Sequence, residues 1–549
     1  MARFAAIDVG SNAIRLRIVE ADRPASPQDS QLRLPDDGRD EPRFREITSL
    51  RAPVRLGTEV FLTGRIPAAA VGQACAALRE FRAAMDAAKI DAYRATATSA
   101  VREAQNAATL VERARREAGI DLEVIEGVEE ARLIELAVVR RVPALAETSA
   151  LLVDVGGGST ELTMLDRGEH AFSVSLPIGT VRLVETFLRG DGPPDSVGRI
   201  AQSGSFDRAR ARLVAEMIDR ALGEAEGYLS RTTFDVLVGT GGNVETMADL
   251  CPAKPGASPF ARAIDVPAMK ALHGKLVKMT PAERRDAYGL RPDRADTIVP
   301  AAAIFLRLAE RFKKSHVVAP GVGLKEGILE ELAAKHFRLW DDESQAQSVL
   351  TACTKLGHRY RFDEAHGRLV AALSARLFDD LQPLHALGHR DRLLLRAAAL
   401  LHDVGDFVRY DGHHKHSYYL IQNSDIIGLT PDERAIVANT ARYHRKSLPD
   451  PSHPAFRELD RDARGKVRAL AAILRIADAL DREHLGKVRD VRGVVDAGRG
   501  KLVLYVTGSE DRELEEWTVR AKADLLREVF DLDVTFAEPL RTSEAPRAG

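Results

Sequence analysis

Two stretches of the chain share one pattern. AAIDVGSNAIRLRIV near the start and LLVDVGGGSTELTML (Leu151 to Leu165) each read as an apolar strand, an aspartate, a glycine-rich turn and a second strand. Asp8 and Asp154, the two aspartates, stand 146 residues apart, about one domain length. A third strand-to-glycine unit, FDVLVGTGGNVETMADL, runs from Phe234 to Leu250. Repetition at this spacing predicts a duplicated α/β domain with comparable turns facing each other across a cleft. At 549 residues there is room for three or four domains.

A strand that ends in an aspartate and enters a glycine turn offers two complementary groups. Backbone N–H groups of the turn converge on an anion, and the carboxylate holds a divalent cation that bridges to it. Asp8 with Gly10, Ser11 and Asn12 makes one such corner. Asp154 with Gly156, Gly157, Gly158, Ser159 and Thr160, followed by Glu161, makes another, and Gly239, Gly241 and Gly242 a third candidate. None contains GxxxxGK[ST], which excludes a P-loop.

Elsewhere in the first half, Val71, Ala74, Leu78, Phe81 and Met85 recur at helical spacing. A further helix is expected to begin near Ser99, and the polar segment Asp22 to Asp40 reads as an enlarged loop. From about residue 330 helical patterns dominate and histidines accumulate. His366, His402, Asp403, His416, His444 and Asp478 sit on or beside apolar helices, where buried imidazoles and carboxylates need partners and a metal is an effective one. Imidazole and carboxylate without thiolate suit Mn²⁺, Fe or Zn²⁺. Lys415, Arg442, Arg445 and Lys446 form a local basic patch suited to guiding an anionic polymer. Near the end, KLVLYVTG, a helix through Leu514, Trp517, Ala521, Leu525 and Val529, and VTFAEP read as strand, helix and strand.

Lys+Arg 79 against Asp+Glu 81 gives a net charge of −2, which argues against a nucleic-acid-coating or membrane-coating protein. Three scattered cysteines, Cys75, Cys251 and Cys353, form neither a disulfide framework nor a thiolate site. With no targeting stretch and no membrane-length apolar run, a cytoplasmic protein is expected.

AAIDVGSNAIRL, TATSAVREAQNA, VIEGVEEARLIELAV, LLVDVGGGSTELTML, SLPIGTVRL and VLVGTGGNVETMA, in this order, resemble the exopolyphosphatase and guanosine pentaphosphate phosphohydrolase family of the actin-like, sugar-kinase-like and Hsp70-like ATPase superfamily. The later pattern resembles the His-Asp phosphohydrolase superfamily, with His366, His402, Asp403 and Asp478 matching the basic metal set and His416 and His444 extending it to two metals. The expected fold is α/β: two ribonuclease-H-like, actin-type lobes (1–130 and 131–325), an all-α His-Asp-type domain (326–485) and a small α/β C-terminal subdomain (486–540).

The activity the resemblance implies is Mg²⁺-dependent hydrolysis of the terminal phosphoanhydride of inorganic polyphosphate or, alternatively, of guanosine pentaphosphate to the tetraphosphate. No nucleic-acid polymer is an expected partner, and a homodimer is compatible. Within the motifs, Asp154 and Glu161 are the expected Mg²⁺-side carboxylates with Asp8 opposite, Arg102 the phosphate clamp, Glu130 the general base and Glu129 its reserve. Lys325 in GVGLKEG stands where the family usually has arginine, a departure expected to leave the chemistry untouched. A sugar-kinase-like phosphotransferase lacks a recognisable adenosine or acceptor pocket, and the acidic pair weighs against a non-enzymatic scaffold.

Overall fold

A computed structural model of the chain describes residues 1–22, 44–187, 208–230, 233–254, 262–337, 342–424, 426–496, 498–509 and 511–537. It divides into two compact units, Met1–Leu339 and Trp340–Gly549.

Unit 1 contains the duplication. Its first sheet has the order β3-β2-β1-β4-β5, built from β1 (Ala2–Val9), β2 (Ile14–Ala21), β3 (Phe44–Ala52), β4 (Ala92–Ala97) and β5 (Leu122–Val124). The second repeats the plan with β6 (Ala150–Val155), β7 (Thr160–Asp166), β8 (Glu169–Leu176), β9 (Val236–Thr240), β10 (Ala263–Asp265) and β11 (His316–Val318), in the order β10-β11-β9-β6-β7-β8. In both, a hairpin pairs antiparallel with a third strand, and the opening strand pairs parallel with the strand that follows a helical crossover. The polar segment Asp22 to Asp40 lies outside the described residues beyond Asp22.

The turns repeat as well. Gly10 N–H donates to Ala13 O at 3.1 Å, and Gly156 N–H donates to Ser159 O at 3.0 Å. This closure sets the register, placing Asp8 opposite Arg15 and Asp154 opposite Glu161.

Val71, Ala74, Leu78, Phe81 and Met85 are all buried on the helix Ala68–Ala88, as their spacing predicts. The helix beginning at Ser99 ends at Glu103, and a separate helix covers Ala107–Ala118. The expected lobe boundary at 130/131 falls inside the helix Gly127–Arg141, and that at 325/326 inside the helix Leu324–Phe337. Their apolar faces explain why. Leu133 and Ile328 share one core with Phe4 and Ala6 of the first sheet and Leu152 and Val238 of the second, so these helices belong to both lobes.

Unit 2 is helical from Asp342 to Ala479, followed by β12 (Val488–Asp496), β13 (Lys501–Gly508) and β14 (Asp533–Phe536) in a three-stranded sheet. Leu502, Leu504 and Leu525 share a core with Leu470 and Leu474 of the helix Arg461–Ala479. The expected helix through Leu514 to Val529 is broken at Ala523 into Glu513–Lys522 and Asp524–Phe530. Leu514 and Trp517 are exposed, whereas Val519 and Leu525 are buried.

The helices Gly127–Arg141 and Leu324–Phe337 approach through Gly327, where an added Cβ would lie 1.9 Å from Leu133 O. Backbone cannot yield as a flexible side chain can, so Gly327→Ala is expected to destabilise unit 1 by about 1–3 kcal/mol. A lower thermal midpoint beside an unchanged Gly72→Ala control, where an added Cβ meets open space, checks this.

Candidate functional site

The hairpin register brings the acids of unit 1 together. Asp154 at the end of β6 and Glu161 on β7 are paired residues, and Glu130 enters from the first turn of the helix Gly127–Arg141. Ligand oxygens of Glu130, Asp154 and Glu161 all lie within 4.8 Å of one another, and Glu130 and Glu161 are buried. Asp154 Oδ1 accepts from Thr240 Oγ1 at 2.5 Å, and Glu161 Oε1 from Ser175 Oγ at 2.9 Å. Among the described residues, Glu130 Oε2 and Glu161 Oε2 accept no hydrogen bond. Arg102 Nη1 stands 3.8 Å from Glu130 Oε2 and donates to Ile125 O at 2.8 Å.

Crowded carboxylates taken from water resist ionisation. Burial, with Glu161 and Asp154 alongside, pushes Glu130 well above the usual carboxylate range against the opposing Arg102. Burial and Asp154 carry Glu161 to about 7, and burial takes Asp154 to about 6 against the hydrogen bond from Thr240. Asp8 is raised by burial, opposed by the charges of Arg15 and Lys325. Lys325 supplies here the positive charge that an arginine would also carry. Two buried oxygens without donors among three clustered acids suit a small hard cation, so the donor set fits a divalent ion.

Glu129, adjacent in sequence, is committed elsewhere. It receives Arg132 at 2.7 and 2.8 Å and Arg94 at 3.0 Å, and both arginines also bind Glu331 of the helix Leu324–Phe337. Although burial opposes ionisation, these cations hold Glu129 below its usual range and Glu331 at about 2. The network fixes the turn that presents Glu130.

The glycine turns of the two lobes touch. A Cβ on Gly157 would lie 2.8 Å from Ser11 Cβ, and one on Gly158 2.3 Å from Ser99 Oγ. Ser11 Oγ lies 3.0 Å from Ser99 Oγ, and Asn12 Oδ1 accepts from Arg55 Nε at 3.0 Å. Gly10, Gly156, Ser159 and Thr160 complete the paired turns. Gly241 adopts φ +94° beside Asp154, and Gly242 lies under the Arg294 guanidinium. Gly239 is placed differently: it lies inside β9 under Phe305 and Val317, and not on the turn with Gly241 and Gly242. Thr240, Ser175 and Arg15 were not singled out in the sequence, although the strand register that places them is implied by the turns.

Unit 2 contains a separate cluster. His366, His402 and Asp478 form one ligand group, Asp403, His413 and His444 another, and His366, Asp403 and His484 a third. His366 Nε2 and His402 Nε2 are 3.2 Å apart, as are His413 Nε2 and His444 Nε2. Asp403 lies between the pairs, with Oδ2 at 3.8 and 3.5 Å from His366 and His402, and Oδ1 at 3.0 and 3.4 Å from His413 and His444. His416 belongs to none of these groups among the described residues; His413, almost one helical turn earlier, occupies the place expected for it. Lys522 pairs with Asp478, an interaction brought from the C-terminal helices.

Two family profiles cover most of the chain: the Ppx/GppA phosphatase family over residues 36–336, and Ppx/GppA phosphatase, domain III, over residues 350–528. The chain belongs to the Ppx/GppA phosphatase family. It is a hydrolase with duplicated actin-like lobes, and its His/Asp clusters can coordinate a divalent metal. It is 27% identical over 475 residues to the guanosine-5'-triphosphate,3'-diphosphate pyrophosphatase of Aeromonas hydrophila, covering 86% of each chain. It is 30% identical over 305 residues to exopolyphosphatase 1 of Mycobacterium leprae, covering 55% of this chain and 81% of that one. The crystal structure of an exopolyphosphatase from Cytophaga hutchinsonii matches with a TM-score of 0.51 at 25% identity, over 61% of this chain and 98% of the other. No helix among the described residues is long and apolar enough to cross a membrane.

The acid cluster makes stability depend on pH and metal together. Glu161 keeps its proton to about pH 7 when folded, against an ordinary value of 4.5, so its contribution is complete below about pH 4.5 and lost as pH rises through 7. In EDTA, the thermal midpoint of the wild type should fall across this window more steeply than that of Glu161→Gln. Mg²⁺ should flatten the wild-type decline by replacing the proton. Equal slopes in both chains would contradict the assignment.

Proposed function

We propose that unit 1 is an Mg²⁺-dependent exopolyphosphatase that hydrolyses the terminal phosphoanhydride of inorganic polyphosphate, with guanosine pentaphosphate as the alternative substrate, in the cytoplasm. The observation that carries this reading is the buried Glu130–Asp154–Glu161 pocket beside two facing glycine turns, with oxygens left without donors. Asp154 and Glu161 would hold Mg²⁺, with Asp8 contributing from the other lobe. The bound ion supplies charge neutralisation for the phosphates.

Backbone N–H groups of Ser11, Asn12, Gly157 and Gly158 orient the phosphate oxygens, those of Gly10 and Gly156 being engaged in closing the turns. Glu130 accepts a proton from the attacking water; the new P–O bond forms as the bridging P–O bond breaks, releasing orthophosphate and the shortened chain. Burial makes Glu130 a stronger base than a solvent carboxylate once it is ionised, and Arg102 favours that ionised form while offering donors to the phosphate. Glu129 takes no part in the chemistry, being held by Arg94 and Arg132.

Unit 2 supports a second reading, that it binds two divalent cations sharing Asp403. His402 Nδ1 and His444 Nδ1 each lie 2.7 Å from a backbone carbonyl, which can only accept. Each Nδ1 therefore carries hydrogen, and in the neutral rings each Nε2 presents a lone pair. His366 Nδ1 at 2.8 Å from Asp481, and His413 Nδ1 at 2.7 Å from Asp406, are oriented the same way. Lone pairs meeting at 3.2 Å call for a cation between them. Mn²⁺, Fe or Zn²⁺ fits this nitrogen and oxygen set.

Glu130→Gln should lower kcat for phosphate release by about 10²–10⁴-fold with a much smaller change in KM. A metal-defined assay on long polyphosphate, guanosine pentaphosphate and ATP checks both the base and the substrate. Wild-type turnover in the variant would refute Glu130 as base, and preference for guanosine pentaphosphate would make the alternative substrate the principal one.

A further inference from the structure

The glycine turn of the second lobe is held from behind by the helix Thr180–Phe187. Gly156 O accepts from Thr180 N at 3.0 Å, and Gly157 O from Val181 N at 2.8 Å and Arg182 N at 3.0 Å. Gly158 O accepts from Arg182 Nε at 2.8 Å. In a planar trans peptide the N–H points opposite to the C=O. With these successive carbonyls turned to the helix, the N–H groups of Gly157, Gly158 and Ser159 are turned away from it. Gly179 lets the helix start this close, since a Cβ there would lie 2.5 Å from Gly157 O. The first two peptides are held by backbone donors, which no side-chain substitution removes. The third depends on the Arg182 side chain.

The same side chain reaches the other lobe. Arg182 Nη2 donates to Glu103 Oε1 at 2.5 Å and to Oε2 at 2.7 Å. Glu103 directly follows Arg102 on the helix Ser99–Glu103. The Arg182 guanidinium also lies 4.1 Å from the ring centroid of Phe61, on the helix Gly57–Thr63. That ring abuts the turn, since a Cβ on Gly158 would lie 2.3 Å from Phe61 Cζ. Arg182 therefore touches the turn, the ring packed on the turn, and the neighbour of Arg102. A lysine can pair with Glu103 or bond the carbonyl, but it lacks the planar fork that does both. The Glu103 side chain is 42% exposed, and an ion pair this open to water adds little stability. What the pair supplies is geometry.

We propose that Arg182 is a positioning residue for phosphoryl transfer in unit 1. It fixes the Gly158–Ser159 peptide of one lobe and, through Glu103, keeps that peptide in register with Arg102 of the other. One guanidinium thus aligns anion-binding groups across the junction between the lobes. This rests on the reading of unit 1 as a phosphohydrolase whose turns and Arg102 bind phosphate. Arg182 acts through those groups and takes no proton or bond in the reaction.

The test measures kcat and KM of the full chain on polyphosphate at saturating Mg²⁺. Arg182→Met should lower kcat about 10–100-fold, because donors aimed at developing charge lose their alignment, while KM changes less than about threefold. Its thermal midpoint should stay within about 3 °C of the wild type, which separates positioning from general destabilisation. Glu103→Gln should lower kcat about three- to tenfold alone and add almost nothing to Arg182→Met, since it acts through that residue. Arg182→Lys should remain at least about fivefold below the wild type. Wild-type kcat in Arg182→Met, a loss carried by KM alone, or full additivity with Glu103→Gln would overturn the positioning role and leave the unit 1 reading intact. A wild-type chain that releases no phosphate from polyphosphate or guanosine pentaphosphate would instead overturn that reading, and this inference with it. Should Arg182→Met fail to fold, wild-type kcat in both Arg182→Lys and Glu103→Gln would overturn the proposal.

Discussion

Burying several carboxyl groups at one point is the constraint around which unit 1 is organised. Each charge removed from water is costly, and like charges a few ångströms apart raise the cost further. The fold meets this locally with Thr240 on Asp154, Ser175 on Glu161 and Arg102 near Glu130. It leaves two oxygens without donors, and that is where a cation can offset the remaining repulsion. The Glu129–Arg94–Arg132–Glu331 network prevents the simplest escape, rotation of the first helical turn away from the cluster, by tying that turn to β4 and to the helix Leu324–Phe337. Gly327 permits the close helix contact that makes these ion pairs reachable.

The two clusters solve the same electrostatic problem with different donors. Unit 1 gathers carboxylate oxygen alone, which favours a hard ion that keeps part of its water. Unit 2 gathers imidazole nitrogens whose second nitrogens are fixed by carbonyls and carboxylates, a set suited to transition metals. One chain can therefore carry ions of two different kinds, since the donor sets select differently.

The turns and their register were legible because a hairpin closed by glycine has few solutions: Asp154 and Glu161 had to face one another once the turn was recognised. The choice between Glu129 and Glu130 was legible only through the family pattern, because neighbours on a helix point about 100° apart and their tertiary partners decide which enters the site. In HHKH, three histidines fall within one turn, and the helix starting at His413 after Gly412 at φ +76° decides which faces Asp403. Gly239 resembled the glycines beside it although a strand interior buries it. Lys522 gave no signal, being 44 residues from Asp478 and joined to it through a helix break at Ala523 that the apolar spacing concealed.

The duplicated hairpins also explain how one fold separates anion from cation. Arg15 and Glu161 occupy the same position, each opposite the aspartate that ends its lobe's first strand. In the first lobe Asp8 faces Arg15 at 3.4 Å and the charge of Lys325, cations that oppose the effect of its burial and have no counterpart opposite Asp154. In the second, the counterpart pairs Asp154 with another acid, so the same geometry favours a cation. A single exchange of charge at an equivalent register position polarises the junction between the lobes. In the polyphosphate reading proposed for unit 1, the ion would lie on the Asp154 side and the phosphate oxygens on the Arg15 side.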